Sequence, residues 1–430
     1  MTFMRVDVLE VRAWGETVGA LSSGRGGVAA FEYAPGWRDR ELSPLLMPTI
    51  PRGRIWSFPE LPEETFHGLP PLIADSAPDR FGNSVIAAAL ARQGILPSDV
   101  RPIDRLAYVG ERALGALTFH PAQSPGAAAS SLELGQLVEA ARAAVHGSLD
   151  PTTRTSAVND LLQVGSSAGG ARPKAIIAWN RESDEIRAGG IAAPAGFEQW
   201  LLKFDGVGSD TQLGATGEYG RTEYAYALMA GAAGIEMAEC RLLEEGGRAH
   251  FMTRRFDRPG TTGDRLHMQS LCALAGADFN ALGTHDYATL FLVAEELGLE
   301  VGEQLFRRAC FNVLAANNDD HTKNHAFTMA QDGAWRLSPA YDLTFAYSPS
   351  SVWLRQHLMS VNGRFEYITA RDLLTLADQF AVPGARAVLS EVGDAVARWP
   401  EFAEVAGISA ARISEVQERL DTVRAELTTA

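Results

Sequence analysis

Asn317-Asn318-Asp319-Asp320-His321-Thr322-Lys323-Asn324, followed by Tyr341-Asp342-Leu343, is the stretch on which the reading of the chain turns. Asp319 and Asn324 stand five residues apart. That is the Asp-x-x-x-x-Asn spacing of a protein-kinase catalytic loop, where the Asp orients the attacking hydroxyl and the Asn holds Mg²⁺. His325-Ala-Phe-Thr-Met alternates, Gln331-Asp332-Gly333 turns and Ala334-Trp-Arg-Leu-Ser returns. This pattern predicts a hairpin that brings Asp342 back near Asn324. Mg²⁺ takes hard oxygen ligands and keeps positions for water and phosphate, so an amide and a carboxylate suit it. Two other readings compete. Asp, Asn and His gather in turns and helix caps because their side chains bond nearby backbone. His321 and His325, four apart, also have a zinc spacing, but the Glu that follows the first His in a metalloprotease helix is missing.

The spacing gains weight only if nucleotide-binding parts lie upstream in order. Val164-Gly-Ser-Ser-Ala-Gly-Gly-Ala-Arg-Pro-Lys carries Gly165, Gly169 and Gly170 in a short polar loop before the strand Ala175–Trp179. Glycines let backbone N–H groups close around a phosphate. No Gly-Lys-Ser/Thr follows, so this is not a Walker A loop. A strand comes next rather than a helix, so it is not a Rossmann fingerprint. In Phe197-Glu-Gln-Trp-Leu-Leu-Lys-Phe-Asp, large apolar residues alternate with Lys203, which fits a strand lysine; a snorkelling surface lysine is the plain alternative. Arg221-Thr-Glu-Tyr-Ala opens a helix with Thr222 as its cap, and Glu223 either orients Lys203 or is a first-turn acid favoured by the helix dipole. Ala249–Arg258 reads as a strand leading to a hinge, where backbone near Arg254–Phe256 would hold adenine.

Around this centre, residues 1–122 read as mainly β, with strand-like runs from Val6, Glu16, Gly27 and Leu114. A helix is predicted from Pro78 through Arg92, and Asp75 and Asp79 read as turn or cap residues. Residues 123–149 form a linker and a connecting helix, 150–257 a lobe bearing the Gly-rich loop, and 258–430 a helical lobe. Amphipathic helices are predicted over 302–316, 367–380, 384–399 and 409–427. The predicted fold class is α+β: a two-lobed protein-kinase-like fold behind a mainly β N-terminal domain.

The 430 residues are 46% hydrophobic and 21% charged, with a formal net charge of −15. That charge argues against broad binding to nucleic acid. Cys240, Cys272 and Cys310 show no metal spacing and read as thiols of a reducing compartment. No apolar run reaches membrane-spanning length and the first residues have no signal core, so the expected location is the cytoplasm.

The order Gly-rich loop, strand Lys, helix Glu, hinge strand, Asp-x4-Asn, hairpin, Asp is that of a two-lobed kinase. The chain resembles the HipA-like serine/threonine kinases, toxins of bacterial toxin–antitoxin modules. The resemblance is carried by Gly165-Ser-Ser-Ala-Gly-Gly-Ala-Arg-Pro-Lys, Arg255-Phe-Asp-Arg, Asn318-Asp-Asp-His-Thr-Lys-Asn, Leu337-Ser-Pro-Ala-Tyr-Asp-Leu and His357-Leu-Met-Ser-Val-Asn-Gly.

The resemblance implies a catalytic Asp319, with Asn324 and Asp342 as Mg²⁺ ligands. It implies an ATP site lined by Ser167, Ala168, Gly169, Gly170, Ala171, Arg172, Lys174, Lys203, Arg254, Arg255, Phe256, His321, Lys323, Asn324 and Tyr341. Family members can carry an acid where Arg254 stands, which leaves that side chain open. Autophosphorylation of a loop serine, Ser167 or its neighbour Ser166, would silence the kinase. The implied partners are a helix-turn-helix HipB-like antitoxin, DNA mainly through that antitoxin, and a protein substrate of the aminoacyl-tRNA synthetase kind. The alternatives are an ATP-binding but catalytically idle subunit of an antitoxin–DNA repressor complex, and a small-molecule kinase.

Overall fold

The structure is a computed structural model that describes residues 3–38, 40–123, 134–145, 172–189, 193–206, 218–260 and 264–428. Its first unit is an antiparallel sheet of β1 (Val8–Ala13), β2 (Glu16–Ser23), β3 (Ala29–Tyr33), β4 (Ile55–Trp56) and β5 (Leu117–His120), in the order β4-β3-β2-β1-β5. Period-two alternation builds it: Leu9, Val11 and Ala13 of β1 are buried, while the residues between them are not. The short helices α1 (Glu63–Phe66) and α2 (Pro71–Ala74), and α4 (Pro102–Val109), contribute to its core with Phe66, Leu72, Ile73 and Leu106.

The helix α3 (Arg80–Ala91) starts where Asp79 accepts from the Gly82 N–H at 2.7 Å, the predicted cap. It does not join the first core. Phe81, Val85 and Leu90 pack instead with α5 (Leu134–Val145) and with Ile177, Trp200 and Leu202 of the second sheet. The N-terminal 122 residues therefore close at β5 in the chain but interlock in space with the next lobe.

That second sheet is antiparallel: β6 (Lys174–Trp179), β7 (Ile186–Ala188), β8 (Glu198–Lys203), β9 (Cys240–Glu245) and β10 (Arg248–Arg254), in the order β7-β6-β8-β10-β9. Lys174 faces Lys203 across β6 and β8, and Phe251 of β10 faces Lys203 from the other side. Helix α6 (Tyr219–Ala232) lies against it. The helix begins before the predicted cap: Thr222 sits within its first turn and donates to the Glu218 carbonyl. Gly220 sets this early start, because a Cβ there would meet the Ala249 carbonyl oxygen at 2.1 Å.

The third unit is helical and holds the largest core. Its small sheet pairs β11 (His267–Ser270) with β13 (Ala326–Met329), and β13 with β14 (Trp335–Leu337); the two-residue strands β12 (His285–Asp286) and β15 (Met359–Ser360) pair in parallel. The hairpin register Phe327↔Leu337 realises the predicted fold-back. Helices α7 (Leu271–Ala275), α8 (Tyr287–Glu296), α9 (Gly302–Leu314), α10 (Ala370–Gln379), α11 (Ala385–Ala397), α12 (Trp399–Val405) and α13 (Ala410–Thr428) complete it. Helix α10 has the capping box expected from Thr369-x-x-Asp372, with the Asp372 carboxylate accepting from the Thr369 N–H. No helix among the described residues is long and apolar enough to cross a membrane.

Candidate active site

A cavity of about 920 Å³ lies where the three units meet, and Lys174, Lys203, Asp319 and Asp342 line it. Strand β8 delivers Lys203 to its second face: Trp200 and Leu202 are buried on the other side with α3 and α5. Helix α6 brings Glu223 to it, and Glu223 Oε1 accepts from Lys203 Nζ at 2.6 Å. Asp342, in the loop after the hairpin, accepts from the same ammonium. Its φ of +58° is a left-handed conformation that Asp tolerates better than most residues.

Burial alone would lower the Lys203 ammonium, but Asp342 and then Glu223 outweigh it and hold Lys203 above its ordinary range. Burial would likewise raise Asp342; Lys203 and then Lys174 hold it well below the carboxylate range instead. Glu223 behaves differently. It is almost fully buried, and that desolvation keeps its carboxyl raised despite Lys203. Lys203 and Asp342 thus each favour the other's charged form, while burial works against the charge on Glu223.

Asp319 and Asp320 are neighbours with separate tasks. Asp320 is buried and accepts from Tyr287 Oη (2.9 Å), His357 Nδ1 (3.0 Å) and the Leu358 N–H (2.8 Å). Asn312 donates to Tyr287 Oη, and Asn317 donates to Asn312 Oδ1, so the network extends into α9. It fixes the loop from beneath. Asp319 keeps 45% of its side-chain surface open, with His321 Nε2 at 3.8 Å from Oδ1. Its depth in the protein raises its carboxyl, His321 lowers it, and Asp342 and Asp320 raise it again. Its openness to the cavity tempers the net rise.

Asn324 Nδ2 donates to the Asp319 carbonyl at 2.7 Å, which fixes the amide and directs its Oδ1 elsewhere. Tyr341 Oη donates to the Lys323 carbonyl at 2.7 Å, tying the residue before Asp342 to the residue before Asn324. The Asp342 carboxylate, part open to the cavity, and the oriented Asn324 amide oxygen are hard donors of the kind Mg²⁺ takes, but Asn324, like Tyr341, is not among the residues lining the cavity. The two histidines weighed for zinc diverge. His321 approaches Asp319, whereas His325 is buried edge-on to Tyr287 and pushed down to about 4 by desolvation. Among the described residues no group of three or more His, Cys, Asp and Glu side chains has metal-binding geometry.

The other predicted residues separate. Ser166, Ser167, Ala168, Gly169, Gly170 and Ala171 lie outside the described residues. Arg172 and Lys174 line the cavity with Lys203, His321 and Lys323. Arg254, Arg255 and Phe256 do not. The Arg254 N–H donates to the Glu239 carbonyl and the Arg255 N–H to the Gln199 carbonyl, so neither backbone donor is open to adenine. The Arg255 side chain is buried against Asp257 at 2.6 Å, in a cluster completed by Arg258 and by the Ala113 and Gly115 carbonyls. It joins the lobes and does not reach the cavity. The Phe256 ring lies 5.9 Å from that of Tyr341.

Three features escaped the sequence. Asp79, read as a cap, also stands 3.5 Å from Lys174 Nζ, both side chains almost fully buried. Arg172 reaches Glu223 at 3.9 Å. Part of the cavity wall is N-terminal, with His67, Arg80, Asn83 and Arg105. Only the cap signal at Asp79 was readable, because the other contacts join segments far apart in the chain.

Family models match both parts of the chain: the HipA N-terminal domain over residues 9–120 and the HipA-like C-terminal domain over residues 166–399. Two proteins of Sinorhizobium fredii, named "Putative kinase Y4mE" and "Putative kinase Y4dM", are each 25% identical to it. The first match covers 80% of this chain and 79% of that protein, the second 79% and 77%. Among solved structures, HipA of Shewanella oneidensis MR-1, captured with HipB and operator DNA, superposes with a TM-score of 0.63 at 18% identity. That match covers 97% of this chain and 96% of the other, and it shows a shared fold.

Proposed function

The chain belongs to the HipA-like family, and on that premise we propose that it is an ATP-dependent serine/threonine protein kinase acting as the toxin of a toxin–antitoxin module. The observation that carries this reading is the ion-pair triad Lys203–Glu223–Asp342 opening into the same cavity as Asp319. A kinase requires such a set: a lysine for the phosphates, a helix Glu to hold it, a metal carboxylate, and a carboxylate for the acceptor hydroxyl.

Each residue has a task. Lys203 binds phosphate oxygens and is kept charged by its two carboxylates. Asn324 and Asp342 would hold Mg²⁺, which supplies charge neutralisation on the phosphates when bound. Asp319 accepts a hydrogen bond from the acceptor hydroxyl, orients it and takes its proton as the hydroxyl attacks. Asp320 and its partners keep Asp319 in place, so the loop need not reorganise during transfer. The proposed target is a protein of the aminoacyl-tRNA synthetase kind, and the proposed self-silencing sites are Ser167 or Ser166. A HipB-like helix-turn-helix antitoxin, with DNA reached mainly through it, is the proposed partner; the fold shared with the Shewanella protein supports this.

Incubation with Mg-ATP followed by intact-mass and peptide mass spectrometry tests the reading, with Asp319→Ala alongside. We expect one added phosphate in the wild type, at Ser167 or Ser166, and transfer by Asp319→Ala reduced by about a thousandfold or more. Labelling of Asp319→Ala at the wild-type rate would remove Asp319 from the mechanism. An unphosphorylated wild type that binds ATP and transfers nothing would favour the idle subunit.

A further inference from the structure

The cavity has two halves that differ in how their cations are paired. In the half formed by the second sheet, each cation has an acid: Lys174 has Asp79, Lys203 has Glu223 and Asp342, and Arg172 has Glu223. In the half walled by the N-terminal unit, Arg80, Arg105 and Lys323 have no carboxylate at ion-pair distance among the described residues. Arg105 donates to the Asn83 amide oxygen at 2.7 Å, and its burial lowers it with no acid to offset the effect. Lys323 lies over the Phe279 ring at 4.8 Å. His67 is held below its ordinary range by burial, then by Lys323 and Arg105, which puts both cations beside it. Arg80 is exposed and Lys323 acts on Asp75 and Asp79 only at longer range, so none of the three is met directly by an acid among the described residues, and in a chain of net charge −15 this wall presents positive charge to an arriving anion.

The two halves adjoin at Asp319. His321 approaches Asp319 at 3.8 Å, its ring lies 5.3 Å from Phe279, and Phe279 carries Lys323. A nucleotide whose phosphates reach Lys203 and Asp342 need not fill this second half, and Lys323, expected from the family resemblance at the ATP site, would then serve the acceptor instead. We propose that the pocket bounded by Arg80, Arg105 and Lys323 is the acceptor subsite, and that it takes a polypeptide segment with carboxylates flanking the hydroxyl. This inference rests on the kinase reading and adds to it the chemistry of the substrate.

An extended segment advances about 3.3–3.6 Å per residue, so acids within a few residues on either side of the hydroxyl sample the wall beyond Asp319. Three cations suit one or two carboxylates. A nucleic-acid strand bears a charge at every residue, and would meet Glu64 in the same wall as well as the net negative chain.

The test uses three fluorescent probes on the full chain: a serine peptide with Glu three residues to either side, the same peptide with Lys, and a single-stranded RNA of similar length. Mg-ATP affinity is measured in parallel. We expect the Glu peptide to bind about tenfold or more tighter than the Lys peptide, with affinity falling as salt rises. Arg80→Glu, a change at an exposed position, should abolish that preference and improve binding of the Lys peptide, while Mg-ATP affinity stays within about twofold. Arg105→Gln should weaken the Glu peptide without favouring the Lys peptide. No preference for Glu in a protein that binds Mg-ATP overturns the subsite, as does tighter binding of the RNA. Lost Mg-ATP affinity in Arg80→Glu also overturns it, by assigning these cations to the nucleotide. A wild type that does not bind Mg-ATP would instead defeat the kinase reading.

Discussion

Two clusters of cation and carboxylate lie at opposite ends of the β8–β10 strand pair, and they use the same chemistry for opposite purposes. In one, Glu223 and Asp342 surround Lys203; in the other, Arg255 and Arg258 surround Asp257. All three side chains of the arginine cluster are 3% exposed, and its arginines also donate to the Ala113 and Gly115 carbonyls. The lysine cluster keeps Asp342 30% open to the cavity. A sealed cluster can only hold the molecule together. A cluster with one open member can exchange that member for a ligand, as the proposed Mg²⁺ site requires.

The largest effect that would separate them is on chemistry. Lys203→Met should reduce phosphoryl transfer by about a hundredfold to a thousandfold, the usual cost of one charge-stabilising donor. The fold should tolerate it, because Glu223 is already raised and can take a proton. Equal losses of melting temperature for Lys203→Met and Asp257→Asn would erase the distinction.

Asp257→Asn should show the reverse pattern. It leaves two buried guanidinium groups without their counter-charge, at a cost of about 3–5 kcal/mol in denaturant unfolding. Mg-ATP affinity of the protein that remains folded should be unchanged, as calorimetry would show. Gly115 lies in the same joint: its φ is +73°, its N–H donates to Asp257, and a Cβ there would meet the Met268 backbone nitrogen at 2.8 Å.

The two sites also respond oppositely to acid. Burial would raise Asp257, but Arg255 and then Arg258 hold it far below the carboxylate range. A depressed carboxyl contributes stability that is full above its unfolded value, about pH 4, and is lost as pH falls further. Asp319 is raised, so its ionised form opposes folding, and acidification relieves that cost while removing the base. The acid limb of kcat/KM should therefore lie above pH 4, at a pH where the unfolding free energy has not yet begun to fall on account of Asp257. Coincident loss of activity and stability would contradict this order.

The smallest expected effect is at Asp79, which contributes to both stability and the site. Asp79→Asn keeps a capping side chain but leaves buried Lys174 without its counter-charge, so stability should fall by about 1–3 kcal/mol, less than at Asp257 because burial already lowers Lys174. It removes the charge facing Lys174, so affinity for ATP should fall severalfold while affinity for adenosine holds. Equal loss for both ligands would make Asp79 a structural residue only.

Much of this arrangement was legible in the chain. The alternation of Trp200, Leu202 and Lys203 set one face of β8 against the other, and the pattern from His325 to Ser338 gave the hairpin that returns Asp342. Local rules fix such features because period-two alternation and turn residues act over a few positions. Thr222 misled, since cap preference is local while the start of α6 was decided by Gly220 against the Ala249 backbone. Arg255 misled for a related reason: the buried Asp257 and the distant Ala113 carbonyl claimed the side chain.

By itself, then, the sequence determined the order of strands, helices and candidate site residues, because each depends on residues within a few positions of one another. Only the tertiary structure decided which charges would meet. Asp79 and Lys174 are 95 positions apart, as 174 − 79, and Lys203 and Asp342 are 139 apart. Coulombic attraction acts through space, so the pairing that leaves Arg80, Arg105 and Lys323 with no carboxylate at ion-pair distance among the described residues arises only when the N-terminal unit and Asp319 line one cavity.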